Sequence, residues 1–417
     1  MLIKREILPR IMSHLSAKEM TVITGARQVG KTTIMKEMQN ILEKEGKNTL
    51  YFNLDYESDF EFHRSQEKLL QKIQLEVGAE KSYIFIDEIQ RKENAGLFLK
   101  GLFDRNLPYK FIISGSGSME LKERIHESLT GRKRIFAVYP VNFREFINFR
   151  TDYKYEDRLS NFFSLEKAKT LALLNEYLVF GGYPRLVVEK KREEKLLLMN
   201  DIYDSYLVKD VAYLLNVNQP QMFTKLVQLL ANSCGSLLNY SKLARDIGIS
   251  FSTLKKYLWY AEKTFIVDLI NPFFRNKRKE IRKSETVYFN DLGLRNYALN
   301  DFSKKVRGKK SGFHFQNFIY ILLRSLLGQK NYKIHYWRTT DKAEVDFVIN
   351  KGNTVIPVEV KFSKLKKSNI SRSFRNFLDQ YKPQKAFIVN LELMAEEKIN
   401  STQVKFLPFY KLYEQDI

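Results

Sequence analysis

Over its first third the chain alternates between two hydrophobic periods. Met20 to Gly25 is a short, mostly apolar run of strand length, and Ile34, Met35, Met38, Ile41 and Leu42 recur at the three-four spacing of an amphipathic helix that ends before Gly46. Thr49–Leu54, Ser82–Glu88, Tyr109–Ser114 and Ile135–Tyr139 have the apolar density of buried strands. Helical spacing over Leu69–Val77 and Leu97–Phe103 separates them. Strands alternating with helices predict an α/β fold with a doubly wound parallel sheet.

After Pro140 the pattern turns helical: Phe143–Phe149, Leu165–Val179 and Leu196–Leu215 read as helices, punctuated by Gly181, Gly182 and Pro184. Ser241–Ile247, a turn at Gly248 and a second helix capped by Ser250 or Ser252 give a helix-turn-helix, with Thr253, Lys255 and Lys256 near the start of the second helix. The strand Phe265–Ile270 suggests a winged form. A further unit opens with the apolar helix Phe315–Leu327, followed by strands at 334–338, 343–350 and 354–362 and a closing strand at Ala386–Leu391. The expected organisation is an ATPase-type core over 1–140, a helical lid over 141–215, a winged helix-turn-helix over 216–275, a basic connector over 276–310 and an α/β domain over 311–417.

Candidate chemistry begins where the first strand ends. Gly25-Ala26-Arg27-Gln28-Val29-Gly30-Lys31-Thr32-Thr33 has the form G-x-x-x-x-G-K-T between a strand and a helix. Glycines let successive backbone N–H groups turn inward around an anion, and the helix behind presents its positive end. Lys31 is placed to reach the β and γ phosphates and Thr32 to ligate Mg²⁺. About sixty residues on, Asp87-Glu88 closes a buried strand, where such sheets bind ligands. Asp87 is expected to hold Mg²⁺ through water, and Glu88 to orient or deprotonate the attacking water. Ser114 or Ser116, at the end of the next strand, could contact the γ-phosphate, although helix capping explains Ser116 equally well. Arg132 is a candidate for stabilising γ-phosphate charge, in its own subunit or a neighbour's.

The hairpin signal Lys351-Gly352-Asn353 carries a second candidate. A loop over Lys351–Thr354 pairs Asn350 with Val355 and sets Asp346 opposite Glu359, with Lys361 on the same face. Two carboxylates and a lysine could bind Mg²⁺ and position water, or form a structural salt-bridge cluster.

Charge sharpens the choice of partner. The 417 residues carry 70 Lys and Arg against 48 Asp and Glu, a formal net charge of +22. Such an excess favours a polyanion, most simply DNA, over an anionic membrane surface. Six positive charges fall in Arg275–Lys283 and five in Lys304–Lys310. No run of 18 apolar residues occurs and no signal-peptide pattern opens the chain, so a cytoplasmic protein without membrane insertion is expected. The single cysteine, Cys234, excludes an internal disulfide and a cysteine-based metal site.

Gly25–Thr33, Phe85-Ile-Asp-Glu-Ile-Gln90, Ser114-Gly-Ser116, Leu129-Thr-Gly-Arg132, Pro140–Phe146 and Gly181-Gly-Tyr-Pro184 together resemble AAA+-superfamily ATPases of bacteria and archaea. The resemblance implies ATP and Mg²⁺ as cofactors, a helical lid over the nucleotide, and the possibility of a homo-oligomer. The order Asp346, then Glu359-x-Lys361, resembles the PD-(D/E)XK nuclease fold, a restriction-endonuclease-like α/β domain. One departure is Gln316, where that pattern often has a Glu; Gln offers a neutral oxygen and lowers the site's attraction for Mg²⁺. Three functions remain open: an ATPase coupled to nucleic acid, an ATP-gated nuclease, and a nucleotide-switched signalling or scaffold protein.

Overall fold

The computed structural model describes residues 2–116, 128–204, 220–274, 284–303, 311–328, 330 and 332–417. Five parallel strands form the first sheet: β1 (Met20–Gly25), β2 (Asn48–Asn53), β3 (Ser82–Asp87), β4 (Tyr109–Ser116) and β5 (Lys133–Val138). Their spatial order is β2-β3-β4-β1-β5. β4 therefore lies between the strand that opens the glycine loop and the strand that ends in Asp87. All six residues of both β1 and β3 are buried, which explains why they read as continuous rather than alternating runs.

The helix Lys31–Lys44 buries Ile34, Met35, Met38 and Leu42 along one face, as its spacing predicts. Two short helices, Leu8–Ser13 and Glu57–Phe62, escape the sequence pattern because each has only six residues. In the middle of the chain, helices Phe143–Arg150, Lys167–Phe180 and Arg192–Tyr203 match the expected helical stretch; residues 205–219 lie outside the described set. The helix-turn-helix is present as Tyr240–Ile247, Gly248 in the left-handed region, and Phe251–Lys263, whose N-cap Ser250 accepts from Thr253 N.

Two expectations are corrected. The connector over 276–310 contains a strand and a helix: β6 (Val267–Ile270) pairs antiparallel with β7 (Thr286–Phe289), and Leu292–Ala298 is helical. Its two basic runs, 275–283 and 304–310, lie outside the described residues. The C-terminal unit also does not end with the strand near Ala386. Its sheet has six strands: β8 (Lys333–Arg338), β9 (Glu344–Asn350), β10 (Val355–Val360), β11 (Lys385–Asn390), β12 (Ala395–Ile399) and β13 (Thr402–Pro408), in the order β12-β13-β11-β10-β9-β8. The helix Arg372–Tyr381 buries Phe374, Phe377 and Leu378 against it; three apolar positions among charged neighbours left that helix unread.

The cores cross the boundaries drawn from sequence. Phe143 and Tyr177 of the middle helices share one cluster with Phe318 and Phe409 of the C-terminal unit, with Phe143 at ring distances of 5.4, 5.2 and 5.7 Å from Tyr177, Phe318 and Phe409. A second cluster runs from Val29 and Met35 beside the loop to Leu226, Leu258 and Phe289 of the helix-turn-helix and its ribbon.

Candidate functional site

The loop is shaped by contacts that only glycine permits. Gly25 has φ +155°, and a Cβ there would fall 2.2 Å from Val138 O on β5; Gly30 is left-handed at φ +96°. Lys31 is 5% exposed, and its Nζ donates to Gly25 O (3.1 Å) and Ala26 O (2.8 Å), folding the amine into the loop. Thr32 Oγ1 donates to Asp87 Oδ2 at 2.7 Å, joining loop and acid across β4. The sequence left 55 residues between these two side chains. The parallel sheet brings both to the carboxyl ends of their strands.

Asp87 is fully buried and receives hydroxyls from three elements. Thr32 and Tyr51 donate to Oδ2, Tyr51 from β2 at 2.8 Å, and Ser114 on β4 donates to Oδ1. The amide of Glu88 also lies 3.1 Å from Asp87 Oδ1. Burial, with Asp87 next, pushes the Tyr51 phenol far up, so it stays a donor. Glu88 is left-handed at φ 58° and leads into a short turn, Ile89–Arg91. That turn brings Gln90 back: its Nε2 donates to Glu88 Oε2, and its Oε1 accepts from Ser116 N at 3.2 Å. Ser116 thus meets the acid turn through its backbone, and Ser114 through its hydroxyl.

Four of these contacts were not foreseen. Tyr51 lies on the face of β2 turned toward Asp87, and Gln90 follows the acid pair by two residues; both stand in or beside elements the pattern identified. Arg185, just after the Gly-Gly-Tyr-Pro turn, places Nη1 3.4 Å from Gln28 Oε1 in the loop. Arg5 carries no sequence signal beyond a charge before an apolar segment. It is 9% exposed and donates to Val29 O in the loop (2.8 Å), to Tyr139 O (2.6 Å) and to Glu145 Oε2 (3.2 Å). On the far side of Tyr139, the Arg324 guanidinium lies 3.7 Å from the ring centroid and pairs with Asp268 Oδ2 at 3.0 Å. Loop, sheet edge, C-terminal helix and ribbon are therefore linked residue by residue, around a cavity of about 300 Å³ lined by Arg5, Tyr139 and Arg324.

Arg132 is corrected. It precedes β5, its carbonyl accepts from Met20 N at the start of β1, and its guanidinium pairs with Asp104 (2.7 Å). The loop opens at the other end of β1, five residues or roughly 16 Å away. Strand direction, which the motif Leu-Thr-Gly-Arg does not encode, removes Arg132 from its own subunit's loop.

At the C-terminal acids the hairpin register is as expected: Asn350 pairs with Val355 and Phe347 with Val358, which brings Asp346 to Glu359. Asp346 Oδ2 accepts from Val360 N (2.7 Å) and Oδ1 from Gln316 Nε2 (2.9 Å), while the same Gln316 nitrogen lies 3.0 Å from Tyr288 OH. Glu359 pairs with Lys361 Nζ (2.6 Å) and accepts from Ser371 Oγ (3.1 Å). Burial raises Asp346 to about 7, against the Val360 hydrogen bond and with help from Glu359. Among the described residues no group of three or more His, Cys, Asp or Glu side chains is placed to hold a metal ion. The cluster borders a cavity of about 280 Å³ between β8, β9 and the loop Gly235–Leu237. No helix among the described residues is long and apolar enough to cross a membrane.

Residues 17–147 match the model of an AAA domain. Residues 171–305 and 311–412 each match a domain of unknown function (DUF8612 and DUF4143). An uncharacterized protein of Haemophilus influenzae is 25% identical over 402 residues, covering 92% of both chains. One from Methanocaldococcus jannaschii is 27% identical over 423 residues, covering 98% of this chain and 91% of the relative. Among solved structures, Aeropyrum pernix Orc1 in complex with DNA aligns over 72% of this chain and 93% of its own at 13% identity and a TM-score of 0.29. The replication initiator DnaA bound to AMPPCP and single-stranded DNA aligns over 63% and 90% at 16% identity and a TM-score of 0.33. Both scores are too low to imply a shared architecture over the aligned length.

Proposed function

We propose that the chain is an AAA+-like ATPase that binds and hydrolyses Mg²⁺-ATP and couples its nucleotide state to nucleic-acid binding. The observation that carries this is the Thr32–Asp87 contact at 2.7 Å, between a glycine loop and a buried acid on neighbouring layers of one parallel sheet. The donor set fits the cofactor: hydroxyl and carboxylate oxygens suit Mg²⁺, which needs only one or two protein oxygens beside phosphate and water. Bound ATP and Mg²⁺ would supply the phosphoanhydride and the charge that polarises it.

The chain's own residues divide the remaining work. Loop N–H groups and the start of the helix Lys31–Lys44 bind phosphate oxygens. Lys31 can exchange its two carbonyl partners for phosphate without crossing the site. Thr32 and Asp87 hold the cation, and Tyr51 and Ser114 orient Asp87. Glu88, fixed by Gln90, is the base that takes the proton from water. Arg185, from the turn after the middle helices, reports the loop's state to those helices.

The nucleic-acid half rests on the helix-turn-helix, on a formal charge of +22, and on the linkage from Val29 through Arg5 and Tyr139 to Arg324 and Asp268. The test is ATP turnover measured with and without single- and double-stranded DNA and RNA at low salt. Stimulation or a salt-dependent affinity supports the reading. No binding at 50 mM salt to any of the four would remove the coupling and leave an ATPase alone.

A metal-dependent nuclease is the second reading, supported by the register that brings Asp346 and Glu359 together. The engaged carboxylate oxygens favour a structural role for this cluster. Cleavage of DNA or RNA in Mg²⁺ or Mn²⁺ that disappears in Asp346→Ala would reverse that preference.

A further inference from the structure

The second helix of the helix-turn-helix, Phe251–Lys263, buries Leu254, Tyr257, Leu258 and Ala261, and these complete its inward face. Two large aromatic side chains are left outside it: Phe251 and Trp259 are each 47% exposed. Lys255 lies between them in sequence, at i+4 from one and i−4 from the other, so the three form one stripe along about 12 Å of helix. Lys255 Nζ stands 5.0 Å over the Phe251 ring, which turns the lysine along the stripe rather than away from it. Lys256 is exposed beside it, and the helix has no fully exposed carboxylate: Glu262 is half-buried and accepts from Leu269 N.

A helix that only reads a duplex groove works through small and polar side chains that fit between phosphate ridges. Half-exposed Trp and Phe faces interleaved with lysine are instead the elements of a stacking platform, on which unpaired bases lie against rings while the backbone follows the cations. We propose that this stripe binds single-stranded nucleic acid, with bases stacked on Phe251 and Trp259 and phosphates held by Lys255 and Lys256. The inference rests on the nucleic-acid reading given above and names its substrate class. Charge complementarity selects this occupant: a face with two lysines and no exposed acid suits a polyanion.

The chain has two tryptophans, and the other, Trp337, is 2% exposed. Tryptophan fluorescence therefore reports the stripe directly. Full-length protein at low salt is titrated with a 20-nucleotide oligothymidylate and, separately, with a hairpin duplex of equal charge. Quenching by the oligothymidylate, retained in Trp337→Phe and lost in Trp259→Phe, is expected. Trp259→Ala and Phe251→Ala should each weaken the single strand about tenfold, leave the duplex within about twofold, keep the wild-type melting temperature, and leave the salt slope unchanged because no cation is removed. Lys255→Ala should lower that slope by about one.

Equal losses for duplex and single strand, or single-strand binding without quenching, would overturn the proposal while keeping nucleic acid as the partner. Failure of both probes to bind would overturn it together with the reading beneath it. Self-association that Trp259→Ala abolishes, without single-strand binding, would assign the stripe to an interface between copies and overturn it as well.

Discussion

The chain has two places where acids on adjacent strands face a polar pocket, and they are built from different donors. At the end of β3, Asp87 accepts from the hydroxyls of Thr32, Tyr51 and Ser114. On β9, Asp346 accepts from the backbone of Val360 and the amide of Gln316. A hydroxyl keeps lone pairs and can rotate from donor to ligand when a cation arrives; an N–H cannot. The first site therefore carries oxygen donors a magnesium ion can use, whereas the second has closed its carboxylates with groups that only donate. Gln316, in place of an acid, is what completes the closure.

The largest effect should come from the loop. Lys31→Ala is expected to lower ATP turnover about a thousandfold and to weaken nucleotide binding, because it removes the cation that follows charge onto the phosphates. Steady-state hydrolysis and equilibrium binding of a non-hydrolysable analogue measure the two parts. Turnover near that of the wild type would place hydrolysis elsewhere.

Next comes the acid that is closed off. Asp346 is raised to about 7, whereas an unfolded aspartate ionises near 4. Below that lower value both states are protonated and the residue is neutral to stability. Between pH 4 and 7 the unfolded state has lost the proton that the folded state still holds. Stability therefore falls as pH rises through this window and levels off above it, by on the order of 2 kcal/mol. Asp346→Asn should flatten the difference between urea midpoints at pH 4.5 and pH 8. An unchanged slope would mean that the cluster is open to water.

Smaller effects test the groups that position the acids of the first site. Gln90→Met removes the amide that ties Glu88 to Ser116, and it should lower kcat about tenfold with KM unchanged. In a Glu88→Gln background it should add little, since the amide acts through the carboxylate. Tyr51→Phe removes one of two hydroxyls on Asp87 Oδ2 and should weaken Mg²⁺-dependent nucleotide affinity about fivefold, the scale of one hydrogen bond. An equal loss without Mg²⁺ would make Tyr51 a packing residue only.

The sequence carried these two regions unequally. The glycine loop and the Asp87-Glu88 strand end are contiguous patterns, and a parallel sheet guarantees that both lie at the same edge. The β9–β10 register was equally readable because a short loop fixes it, and Asn350 does pair with Val355. Arg132 was misplaced because a motif says nothing about which end of a strand it occupies. Arg5 and Tyr51 were missed because their partners are 24 and 36 residues away, and only the fold brings them together. The C-terminal strands β12 and β13 were unread because exposed charges alternate with their apolar positions, leaving no dense run.

The account's central claim, that one acid site serves nucleotide hydrolysis and the other holds the fold, is tested most directly by ATP turnover in Mg²⁺ for Asp87→Ala and Asp346→Ala side by side at pH 8. Asp87→Ala should lose more than about a hundredfold, the scale of removing a group that stabilises transition-state charge, while Asp346→Ala stays within about twofold of the wild type. Wild-type turnover in Asp87→Ala, or its loss in a folded Asp346→Ala, would contradict the account.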